Sequence, residues 1–136
     1  MSLTLVQRTV GNYKSWNRGI YTRNTACISL SNGEPDTGIV FIDKETGNEI
    51  RAGIENASYG GNGQKTVILN SDDMKVICTE HILAALYLTG ITNARITCEG
   101  RPKDSPVVCE MPMFDGSIEG FIEAIQNASI INQEEN

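Results

Sequence analysis

Hydrophobic and polar positions alternate in short runs along most of this chain, and two segments replace the alternation with a helical period. Ala94-Arg95-Ile96-Thr97-Cys98-Glu99 alternates strictly and predicts the clearest strand. Gln7 to Val10, Thr25 to Leu30, Gly38 to Ile42, the Ile50-Ala52-Ile54 alternation, Thr66 to Leu69, Met74 to Ile77 and Pro106 to Met113 read as further extended runs. Turn chemistry separates them at Asn32-Gly33-Glu34-Pro35-Asp36, at Asp43 to Asn48, at Tyr59-Gly60-Gly61-Asn62-Gly63 and at Asn70-Ser71-Asp72-Asp73. Trp16, Asn17, Arg18 and Gly19 read as turn-rich, and Gly100 to Ser105 as a loop. From Asn127 the chain is polar and is expected to fray.

The first helical segment follows Glu80-His81 and carries no charge from Ile82 to Gly90, with Gly90 as its stop. The second is capped by Asp115 and Ser117, and Ile118, Phe121, Ile122 and Ile125 fall on one stripe at i, i+3, i+4 and i+7. This order predicts an α+β domain: a two-layer sandwich with both helices on one face of a mostly antiparallel sheet. Its expected bounds are 1–128, with 129–136 a polar C-terminal tail. The first helix is apolar nearly all round, which suits burial on both sides. A sheet covers only one side, so a second partner is expected on the other.

Composition narrows this little. The chain has 136 residues, 40% hydrophobic and 21% charged, as an ordinary soluble domain has. A net charge of −6 excludes a general nucleic-acid or membrane-surface binder, both of which need a basic face. No apolar run approaches the length of a membrane span and no signal peptide is evident, so a cytoplasmic protein is expected. Cys27, Cys78, Cys98 and Cys109 have no C-x-x-C spacing and read as reduced thiols.

The chemistry worth attention is Glu80-His81, which contains the one histidine of the sequence. Both residues fall in the first turn of the first helix, at its positive dipole end. A histidine can ligate a metal there, and the glutamate beside it can accept a proton. Taken alone, the dipeptide fits a core helix with a boundary histidine more readily than a site.

Five blocks change that weighting. Gln7-Arg8-Thr9-Val10, Asp36-Thr37-Gly38-Ile39-Val40-Phe41, Glu80-His81-Ile82-Leu83-Ala84-Ala85-Leu86, Gly90-Ile91-Thr92-Asn93-Ala94 and Met113-Phe114-Asp115-Gly116-Ser117 resemble, in order and spacing, the first domain of the LpxC family. Those are zinc-dependent UDP-3-O-acyl-N-acetylglucosamine deacetylases of lipid A synthesis. The resemblance implies a sheet with two helices and a small inserted hairpin near Asp43 to Asn70. It also implies a second domain of the same basic fold packed helix layer to helix layer, with the site between. By position, His81 matches the zinc ligand of the first domain and Glu80 the general base. Asp115 and Ser117 match a turn read here as a structural cap.

The departures matter as much. The family draws a second histidine, an aspartate and a general-acid histidine from its second domain, and these 136 residues hold no further histidine. The family's Thr-Val before Glu-His is Cys78-Thr79 here, and its Gly-Leu-His-Ser turn near the substrate is Gly19-Ile20-Tyr21-Thr22. Tyr21 and Thr22 are therefore the candidates for the substrate cleft. Cys78, three positions before His81, is a secondary metal candidate beside its simpler reading as a buried structural thiol. Zinc binding by these residues alone is expected to be weak or incomplete. The expected partners are a second copy of the chain packed through the helix layer, or a second-domain-like chain completing a split deacetylase. A nucleotide-like small molecule held without catalysis is the alternative, and an interaction module is a third.

Overall fold

The computed structural model describes residues 6–18, 25–59, 67–99, 107–112, 114 and 116–133. Within them the order is β1 (Gln7–Val10), β2 (Tyr13–Arg18), β3 (Thr25–Asn32), β4 (Ile39–Asp43), β5 (Glu49–Arg51), a 3-10 turn (Ile54–Asn56), β6 (Ala57–Tyr59), β7 (Val67–Asn70) and β8 (Met74–Ile77). There follow α1 (Glu80–Leu88), β9 (Ala94–Cys98), β10 (Val107–Glu110), α2 (Glu119–Ala128) and β11 (Ile130–Gln133). The α+β class with two helices and chiefly antiparallel pairing is as the sequence predicts. The strands are divided among three ladders: β2-β3-β9-β4-β5, β10-β8-β7-β6 and β1-β11. Only β4 with β9 and β10 with β8 run parallel.

One apolar cluster joins the layers, drawing Ile28, Phe41 and Ile96 from the five-stranded ladder and Met74 and Val76 from the four-stranded one. Ile82 and Leu86 of α1 and Phe121 and Ile125 of α2 complete it. The two helices pack on each other, and α2 also packs on β2 and β3. Helix α1 buries Ile82, Ala85 and Leu86, an arc at i, i+3 and i+4, while Tyr87 and Leu88 are 84% and 65% exposed. Its apolar circumference is thus covered on one side only, and Leu86 lies on the covered side.

Gly90 ends α1. Its φ of +78 suits glycine, its N–H donates to the Tyr87 carbonyl at 3.1 Å, and the Ile91 N–H donates to the Leu86 carbonyl at 2.9 Å. That pair of bonds is a Schellman closure. In α2 a Cβ on Gly120 would overlap the Phe114 ring, which stacks edge-on against Phe121 with centroids 4.8 Å apart.

Beyond Gly90, the Thr92 and Asn93 amides both donate to the Arg8 carbonyl. Asn93, 1% exposed, accepts from the Gly38 N–H at 2.9 Å. Its Nδ2 lies 2.8 Å from Gln7 Oε1, 3.1 Å from Thr92 Oγ1 and 2.9 Å from Gln133 Oε1. This knot ties β1 and β11 to the start of β4 and to the turn after α1.

Three expectations are corrected. The stretch taken as turn-rich is β2 as far as Arg18, paired along its length with β3; Gly19 lies outside the described residues. Ile54 does not extend β5 but stands 92% exposed in the 3-10 turn. The tail does not fray from Asn127: α2 runs to Ala128, and Ile130–Gln133 pairs antiparallel with β1 in register Val10↔Ile130 to Gln7↔Gln133. All four cysteines are buried and unbridged. The Cys98 thiol is pushed well above the usual thiol range by its hydrogen bond with Cys109 and by burial.

Candidate functional site

Strand β8 delivers the chain to Cys78, whose φ of +62 is left-handed. A residue with a Cβ pays on the order of 1 kcal/mol there, and such outliers concentrate where the backbone must be aimed. Here the turn redirects the chain into Thr79, the N-cap position, and α1 begins at Glu80. Neighbouring strands hold the turn in place. The Thr79 hydroxyl donates to the Val67 carbonyl at 2.9 Å, and the Met111 N–H donates to the Ile77 carbonyl at 3.3 Å.

Glu80 is half-buried, and its Oε2 accepts from the Val67 N–H at 3.1 Å. A carboxylate at the first turn of a helix is favoured by the unsatisfied amides and the dipole. The Val67 bond adds a fixed direction to that general preference. His81 follows in the same turn and is also half-buried. Glu80 and His81 thus both lie half-buried in the first turn of α1.

A catalytic zinc site takes three protein ligands and leaves a further position open. Among the described residues no group of three or more His, Cys, Asp or Glu could hold a metal ion. The donors here suit one arm of such a site, an imidazole with a carboxylate beside it, and do not make up the whole. The helical spacing invoked for Cys78 and His81 does not hold, because Cys78 precedes the N-cap in left-handed backbone and is 8% exposed. Tyr21, Thr22 and Asp115 lie outside the described residues. The N-cap position of α2 is Ile118, whose own side chain makes no capping bond. Ser117, one position earlier, accepts the Glu119 N–H on its hydroxyl at 3.2 Å and so caps the first helical amide, with the chain bending at 116–118 before the helix begins.

Sequence reasoning missed Thr79 and Val67. Val67 is thirteen positions before Glu80 and carries no chemical signal of its own. Thr79 offers one clue, a hydroxyl directly before a helix start, but that pattern predicts a cap rather than a bond back to a strand. Surface cavities among the described residues include one of about 380 Å³ at Tyr13, Lys14, Ser29 and Lys44 and one of about 210 Å³ at Tyr13, Phe114 and Glu123. Neither is lined by Glu80 or His81.

An α+β domain that opens its first buried helix with a held glutamate and an adjacent histidine defines a class in which the site sits on a helix start. The chain belongs to the LpxC family, described as UDP-3-O-acyl N-acetylglycosamine deacetylase, whose sequence model matches residues 7–136. It is similar to the UDP-3-O-acyl-N-acetylglucosamine deacetylase of Geobacter sp. (strain M21), 33% identical over 129 residues, which are 93% of this chain and 39% of that protein. The enzyme of the same name from Chlamydia trachomatis serovar L2 is 32% identical over 117 residues, 86% of this chain and 37% of that protein. That from Thioalkalivibrio sulfidiphilus is 30% identical over 131 residues, 94% of this chain and 40% of that protein. The chain thus spans about two fifths of the length of these relatives. Among the described residues no helix is long and apolar enough to cross a membrane.

Proposed function

We propose that this domain supplies one metal ligand, His81, and the general base, Glu80, for hydrolysis of an amide in a UDP-3-O-acyl-N-acetylglucosamine-type substrate of lipid A synthesis. The observation that carries the reading is the bond from the Val67 N–H to Glu80 Oε2, which aims a carboxylate at a helix start beside the one histidine. Zinc, when bound, would polarise the amide carbonyl and make a water easier to deprotonate. Glu80 takes a proton from that water as its oxygen adds to the carbonyl carbon. The C–N bond then breaks, leaving acetate and a free amine. Protonation of the leaving amine and the remaining ligands come from outside these 136 residues, whether from further chain or from another polypeptide.

On this reading the 136 residues alone are not a competent deacetylase. The exposed Tyr87 and Leu88 mark the face of α1 that a second copy or a second-domain-like chain would cover. The test is acetate release from UDP-3-O-acyl-N-acetylglucosamine, with and without the C-terminal part of a relative supplied in trans. No turnover is expected alone. Turnover that falls by about 100-fold or more in Glu80→Gln and His81→Ala is expected when the site is completed. Robust deacetylation by the chain alone, or a completed enzyme indifferent to Glu80→Gln, overturns the proposal.

The single histidine also favours a second reading, a binder of a nucleotide-like or sugar-nucleotide ligand without catalysis. A rise in Tm with a uridine nucleotide, with no turnover under completed conditions, would support it.

A further inference from the structure

Thr79 and Glu80 grip the same residue from its two ends. The Val67 carbonyl accepts the Thr79 hydroxyl at 2.9 Å and the Thr79 N–H at 3.4 Å, while the Val67 N–H donates to Glu80 Oε2 at 3.1 Å. Thr79 is fully buried, so its hydroxyl needs a partner within the protein. A threonine at an N-cap ordinarily turns its oxygen toward the first helical amides. Here no capping bond forms, and the hydroxyl reaches back to β7 instead.

We propose that Thr79 is a positioning residue for Glu80: its hydroxyl pins the Val67 carbonyl, which restrains that residue, and the N–H at the other end of Val67 holds the Glu80 carboxylate in one orientation. The proposal rests on the reading of Glu80 as general base. Glutamate has several rotamers within reach at a helix start, and an unheld carboxylate divides its time among them. Proton transfer needs the base within hydrogen-bond reach of its water, so a misdirected rotamer is an inactive one. Threonine suits the task because its β-branched side chain is stiff at χ1. The left-handed turn at Cys78 sets the approach, since it places residues 79 and 80 side by side against β7.

The test is the scalar coupling across the hydrogen bond from the Val67 amide nitrogen to the Glu80 side-chain carboxyl carbon, measured by NMR on the full 136-residue chain. The coupling is expected in the native protein, lost in Thr79→Val and retained in Thr79→Ser. Val67 amide exchange should quicken on the order of ten-fold in Thr79→Val and return to the native rate in Thr79→Ser. In the completed enzyme, Thr79→Val should lower kcat by about ten-fold with KM unchanged. The proposal is overturned if the native chain shows no coupling, a measurement that stands even if Thr79→Val fails to fold. It is also overturned if the coupling persists in Thr79→Val, or if kcat holds while the coupling is lost. Full activity in Glu80→Gln would refute the general-base reading alone, because the coupling reports on the hold independently of turnover.

Discussion

Replacing Asn93 with alanine removes a side chain that joins β1, β11, the start of β4 and the turn after α1. Its Oδ1 accepts one N–H, from Gly38, and its Nδ2 faces three acceptors on Gln7, Thr92 and Gln133. Two amide hydrogens are shared among those three, so the loss amounts to three hydrogen bonds rather than four. At about 1 kcal/mol net for each, the deficit is about 3 kcal/mol. Gln7, Gly38 and Gln133 are only half-buried, so water can re-satisfy part of what is left, and the expected range is roughly 2–4 kcal/mol. That is a large share of the roughly 5–15 kcal/mol that holds a domain together. The assay is urea unfolding followed by circular dichroism. For a urea m-value of about 1.5 kcal/mol/M, the midpoint should fall by about 2 M with m unchanged. A loss below about 1 kcal/mol would mean that water replaces most of the Asn93 bonds and that the side chain does not hold these elements together.

Ser129→Gly should stabilise the protein by about 1 kcal/mol, because Ser129 is exposed and holds φ 74 and ψ 133, backbone that suits glycine; equilibrium unfolding checks it. Stability should fall as pH rises above about 8.5, where an unfolded thiol ionises, because Cys98 stays protonated in the native state and the unfolded chain then binds fewer protons. Cys98→Ala should flatten that part of the pH–stability curve. Leu86→Ala, at 1% exposure, should cost about 2–5 kcal/mol, whereas Leu88→Ser should stay within about 0.5 kcal/mol in thermal denaturation of the monomer. If a second copy covers the helix layer, sedimentation equilibrium at micromolar concentration should give a dimer mass that Leu88→Glu returns to that of the monomer. A native monomer would exclude that partner.

Local pattern carried the sequence reading as far as local forces decide the outcome. Strict alternation marked β9, the charge-free run marked α1, and Gly90 ended it by the closure that its position suggested. Two of the failures come from strand pairing that the local pattern does not mark. Tyr13 to Arg18 carries its aromatic residues Tyr13 and Trp16 on opposite sides, so no single apolar face marks it, and its register with β3 makes it a strand. Ile130 to Gln133 finds its partner in β1, more than a hundred residues earlier. For α1 the sequence showed apolar residues on every side but not which arc the core would take, and the core took Ile82, Ala85 and Leu86. At the site, Glu80 and His81 were legible because they are adjacent and chemically distinctive. The Val67–Glu80 bond was not, because a backbone amide has no residue identity to read.

On the proposed function, Glu80 and His81 form one arm of a zinc site completed from outside these 136 residues. Diffraction at the zinc absorption edge from crystals of the completed assembly tests it most directly. One anomalous peak is expected about 2.0–2.1 Å from an imidazole nitrogen of His81, with the Glu80 carboxylate beside the metal but not bound to it. Zinc bound with no contact to His81, or a full ligand set supplied by the 136 residues alone, would contradict it.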